Sequence, residues 1–162
     1  MASAKSSLQS ANLILGLSFI SSYFSTFYSA SGLRELSVEI AIAGSILAMG
    51  ASMMLNMGFI RLRQQYKWTA KVGYMGSILL LSYAISSVLV FAISTDMTIP
   101  FMTILVLGIV GYVATTMIGI SFYMLGKNVN SMMLKIGGLL LVVMPQLGAM
   151  LNYIALRKVN IS

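Results

Sequence analysis

Five long apolar runs dominate this chain, and they leave it few ways to fold. The runs are Leu8–Tyr28, Val38–Ile60, Val72–Ile93, Pro100–Leu125 and Ile136–Leu156. A helix that crosses the hydrocarbon core of a bilayer needs about 20 predominantly apolar residues, and each run supplies that length. The runs are continuous rather than alternating, so they read as helices and not as barrel strands. Charged residues make up 8% of the chain and hydrophobic residues 59%, whereas a soluble domain carries about 25% charged residues. So few charges cannot coat a water-facing surface, and so apolar a chain cannot remain disordered. The expected fold is an all-α integral membrane bundle, a single domain over residues 1–162. It has five transmembrane helices, or four if the first run does not span. That run is the most polar, with Ser18, Ser21, Ser22 and Ser25. It is longer than the apolar region of a signal peptide and reads as an uncleaved span.

The breaks between runs are short, so successive helices should be antiparallel neighbours. Pro100 suits the first turn of the fourth helix, with Thr98 as its cap, and Gly126 suits its end. Pro145 falls inside the fifth run. It should kink that helix by removing one hydrogen bond and crowding the preceding turn. Small residues recur four apart at Gly44, Ala48 and Ser52, and again at Gly111, Thr115 and Gly119. Such faces let helix backbones approach closely in lipid. They serve either packing within this chain or docking onto helices of a larger complex.

The charges lie between the runs. With five spans, one face receives Lys5, Arg61, Arg63, Lys67, Lys71, Lys127 and Lys135. The other receives Arg34, Arg157, Lys158 and the three acids Glu35, Glu39 and Asp96. The positive-inside rule then puts the N-terminus in the cytoplasm and the C-terminus outside, in the plasma membrane. The Arg157–Lys158 tail runs against that assignment. The net charge of +7 therefore reads as topology and attraction to anionic lipid, not as a nucleic-acid footprint. The most distinctive break holds Arg61, Arg63, Tyr66, Lys67, Trp68 and Lys71. It is an expected contact for lipid headgroups or for a partner subunit, with the aromatic side chains as interface anchors.

Composition also narrows the chemistry. The chain has no histidine and no cysteine, so a zinc, copper, iron–sulfur or haem site built by this chain alone is not expected. The methionines at Met53, Met54, Met57, Met132 and Met133 could bind copper(I) by their thioethers, but they read as flexible apolar filler. Serines abound without a base beside them. Glu35 and Glu39 share a short loop with Arg34. Glu39 is the only acid inside a run, and it lies near the end. The intramembrane polar groups Asn56, Gln146 and Asn152 are not ionisable. No catalytic, cofactor-binding or metal-binding residue is assigned, and an enzyme is not expected. Pro145 and Gln146 form the one place where a helix break and a polar side chain coincide.

Two further patterns bear on the whole chain. At an offset of 64, Gly44, Ser52, Met53 and Phe59 match Gly108, Thr116, Met117 and Tyr123, and Lys71 with Gly73 matches Lys135 with Gly137. The match suggests paired helical hairpins. The Lys-x-Gly helix openings, the final run with Gly137, Gly138 and Pro145, and the ending from Tyr153 to Lys158 resemble small multi-pass membrane proteins of archaea with no assigned function. The resemblance implies a helical membrane bundle. Because some proteins of that kind accompany respiratory complexes, it also implies a non-catalytic accessory or structural subunit, of terminal oxidase type. Other membrane subunits and anionic lipids are then its partners, and it binds no cofactor by itself. The alternative is a small-solute transporter or channel component that uses the kinked fifth helix and Gln146 as a polar path.

Overall fold

A computed structural model describes residues 3–93 and 101–159. Asp96, Thr98 and Pro100, which the sequence reading placed at the break before the fourth helix, lie outside the described residues. The described residues form six helices: α1 (Ala4–Ala30), α2 (Arg34–Leu62), α3 (Lys67–Ile93), α4 (Phe101–Asn128), α5 (Met132–Val143) and α6 (Pro145–Lys158). The all-helical expectation holds, and the long helices coincide with the first four apolar runs. By length and composition α1, α2, α3 and the Leu105–Asn128 stretch of α4 can each cross a membrane.

The fifth run differs from expectation. Pro145 does not kink one helix; it separates two. Met144 leaves the helical region at φ −136° and ψ 77°, because the Cδ of a following proline disfavours α geometry in the residue before it. Pro145 then opens α6 at a position where no backbone N–H is needed. The chain reverses there. Gly148 lies against the backbone of Leu140 and Leu141, and Gly137 lies against Asn152. These two pairs are symmetric about the Met144–Pro145 bond, as an antiparallel hairpin requires. At 1.5 Å per residue, the 12 residues of α5 and the 14 of α6 rise only about 18 and 21 Å. Neither reaches across a core of about 30 Å. The hairpin enters from one end of the bundle and returns to the same end.

That reversal corrects the expected placement of the chain ends. Five spans would put them on opposite faces. Instead the last turn of α6 meets the first turn of α1, where Lys5 Nζ donates to the carbonyl of Arg157 at 3.2 Å. Around the bundle each helix packs on the next, and α6 packs on α1 to close the ring. Phe59 and Phe122 lie at its centre with ring centroids 5.7 Å apart. Leu8, Leu15, Leu55, Ile118, Leu125, Leu134 and Leu141 surround them, all fully buried.

The serines of α1 explain how so polar a run holds a helix in this bundle. Ser21, Ser22 and Thr26 return their hydroxyls to the carbonyls four residues back, which satisfies them without water. Ser18 Oγ donates to Gly44 O on α2 at 2.8 Å. Ser25 and Ser37 each donate to the other's carbonyl at 2.8 Å. Gly44 permits this approach, since a Cβ there would stand 3.0 Å from that of Ser21.

Candidate functional site

The turn between α2 and α3 is tight. Gln65 and Tyr66 both donate their N–H to Leu62 O, at 3.1 and 2.9 Å. It therefore delivers Arg63, at the end of α2, and Lys67, at the start of α3, to the same edge of the bundle. Lys67 and Lys71 lie one turn apart on one face of α3. Between the two helices, below these cations, opens a crevice of about 480 Å³. Its apolar walls are Phe59, Ile60, Ala70, Tyr74 and Met75, with Arg63, Lys67 and Lys71 completing the lining. Lys71 Nζ stands 5.6 Å from the centroid of the Trp68 ring, a cation–π geometry that limits where the ammonium can go. Of the six residues expected at this contact, the structure brings Arg63, Lys67 and Lys71 into one crevice. Trp68 is exposed beside it, and Tyr66 is half-buried against the core. Arg61 turns toward α1, with Nη1 3.5 Å from Ser7 Oγ.

The hairpin adds charge to this same end. Lys127 and Lys135 flank the α4–α5 turn, and Arg157 and Lys158 close α6. With Lys5, Arg61, Arg63, Lys67 and Lys71, this end holds every Lys and Arg of the chain except Arg34. Glu35 and Glu39 lie with Arg34 at the opposite end, in the first turns of α2. The basic tail that ran against the five-span topology is thus part of the basic end.

The two small-residue faces are spent inside the chain. Ala48 and Ser52 are buried on α2, and Gly44 lies against Ser18 and Ser21 of α1. Gly111 lies on the Tyr83 ring of α3, and Gly119 lies against the carbonyl of Gly138 on α5. Thr115 is buried and donates back to Gly111 O at 3.1 Å. By contrast Gly108, exposed on α4, has open space beyond it.

Pro145, at the hairpin tip, forms one wall of a second cavity of about 240 Å³ in the half of the bundle away from the basic end. Phe19 of α1, Leu80 and Tyr83 of α3, and Gly108, Gly111, Tyr112 and Thr115 of α4 complete it. This cavity exists because α5 and α6 stop short, leaving α1 and α4 without a helix between them. Gln146 is half-buried next to the tip. The sequence reading missed Asn12, which is fully buried on α1. Its Nδ2 donates to Leu8 O at 2.8 Å, while its Oδ1 and both amide atoms of Asn152 are buried without a hydrogen-bond partner. An asparagine within the first apolar run was the available signal.

Four long apolar helices and a short helical hairpin folded back among them define a helical membrane protein. The chain belongs to a family described as a protein of unknown function, DUF973, whose model matches residues 5–162. No curated protein and no solved structure matches it.

Proposed function

We propose that the chain is a non-catalytic accessory subunit of a larger membrane assembly, with its basic end and both termini on the cytoplasmic side. The orientation rests on the positive-inside rule applied to an end that gathers all the Lys and Arg residues but Arg34. The observation that carries the role is the cleft above the hairpin tip. It is a cavity with mostly apolar walls between α1, α3 and α4, with Gly108 open at its rim. A partner helix that laid its own side chains over Gly108 would fill the place that the short hairpin leaves vacant. Below the tip, Phe59, Phe122 and the leucines packed with them form an apolar core, which suits a packing role better than a polar path. The resemblance of the sequence to small archaeal membrane proteins, some of which accompany respiratory complexes, suggests a respiratory assembly of terminal oxidase type.

A second reading, a small-solute transporter component, draws on the hairpin itself. Backbone that stops within the membrane is tolerated where it is buried in protein or lines a cavity, and transporters use broken helices at their binding sites. One experiment separates the two. The chain is purified from native membranes in mild detergent, alongside a Gly108→Cys variant cross-linked before extraction. Co-migration with haem- or metal-bearing subunits, with the cross-link at position 108, is expected for the accessory role. A monodisperse homo-oligomer that moves solute after reconstitution would overturn it.

A further inference from the structure

We propose that the crevice between α2 and α3 is a binding site for the phosphate headgroup of an anionic membrane lipid. Arg63, Lys67 and Lys71 contribute three cations to one lining, and no carboxylate shares it among the described residues. Like charges gathered this closely repel one another, and an anion among them removes that cost. The guanidinium of Arg63 suits two oxygens of one phosphate at once, while the ammonium of Lys67 adds a point charge from the facing helix. The walls decide between a lipid and a free anion. From Lys67 to Met75 the crevice follows α3 for about 12 Å, and it passes from cations into Ile60, Ala70, Tyr74 and Met75. Ile60 and Met75 are exposed along the apolar flank of the bundle, so the crevice opens sideways as well as at its end. An inorganic anion would use only the charged end. A lipid would use both, with its phosphate at Arg63 and Lys67 and the start of its chain along Ile60 and Met75. Lys71, held over Trp68, closes the side of the headgroup.

Trp68 is the only tryptophan in the chain, and it stands beside the site, so its fluorescence reports on the lipid next to it. The full chain is reconstituted in bilayers of zwitterionic phosphatidylcholine with phosphatidylglycerol, one of the two carrying brominated chains that quench tryptophan. Quenching by brominated phosphatidylglycerol is expected to show enrichment at Trp68 of roughly thirtyfold or more, since each of the two to three cations near an anionic group contributes about fivefold. The Arg63→Gln, Lys67→Gln double variant should bring that enrichment to about fivefold or less, and the charge-conserving Arg63→Lys, Lys67→Arg variant should keep most of it. Lys127→Gln with Lys135→Gln, at the same end but outside the crevice, should leave it unchanged. Equal quenching by the two lipids would overturn the proposal. So would equal losses in the two glutamine pairs, which would assign the preference to diffuse charge. Displacement of the lipid by millimolar inorganic phosphate would reassign the site to a free anion and overturn the lipid reading.

Discussion

Substituting Gly148 by alanine tests the hairpin most directly. In an open helix position the change should stabilise, because glycine costs about 0.8–1.0 kcal/mol relative to alanine. Here the three nearest atoms to the added Cβ would all be backbone of α5, namely the N and Cα of Leu141 and, at 2.7 Å, the carbonyl carbon of Leu140. Ordinary contacts of this kind lie at 3.4–4 Å. Backbone cannot swing aside as the end of a side chain can, so α6 must back away from α5 by about 1 Å. Retreats of that size forfeit a quarter to a half of each facing dispersion contact, and overpacking of this kind costs about 1–3 kcal/mol. Against the gain in propensity, the expected net loss is about 0–2 kcal/mol, which is about 1–3 kcal/mol relative to the same change at an open helix position. Reversible unfolding in mixed micelles, followed by helicity as denaturing detergent is added, measures it. Gly108→Ala, with open space around its Cβ, is the internal control and should hold or gain stability. If Gly148→Ala matched that control, the close packing of α5 on α6 would be refuted, and a continuous fifth span would return as the better description.

Two further outcomes follow from the same structure. Because the chain has no cysteine, single cysteines at Ser3 and Lys158 can be labelled by an impermeant thiol reagent in sealed vesicles. Both should react from the same side, and labelling from opposite sides would exclude the hairpin. A double-mutant cycle of Ser25→Ala and Ser37→Ala should give a coupling of about 0.6 kcal/mol, the average for hydrogen bonds between membrane helices, or more for this reciprocal pair, up to about 1.7 kcal/mol. Strict additivity in the same unfolding assay would show that the reciprocal bonds contribute nothing.

Hydropathy read the first four helices well, since a continuous apolar run of sufficient length has few other uses. It could not tell one span from two half-length helices lying side by side, because both present the same composition. The residues that decide between them are particular ones. Pro145 breaks the run, Gly148 and Gly137 each face a residue at the matching distance on the other side of the break, and Arg157 and Lys158 carry charge back to the basic end. That tail was the visible contradiction in a five-span topology. The basic loop was legible as a charged contact, but its division was not. Arg63, Lys67 and Lys71 line the crevice while Arg61 turns to Ser7, a choice made by the tight turn at Leu62 and by how α2 lies on α3. The small-residue faces were legible as packing surfaces. Their partners, Ser21 for Gly44 and Tyr83 for Gly111, depended on the order of helices around the ring.

The half-depth hairpin has a consequence for the lipid around the protein. A section near the basic end cuts six helices, whereas a section near the opposite end cuts four. With each helix about 10–12 Å across, the two extra helices displace on the order of 200 Å² more lipid from one leaflet than from the other. The molecule is therefore a wedge, and bilayers that bend to match its taper accommodate it with less strain than flat ones.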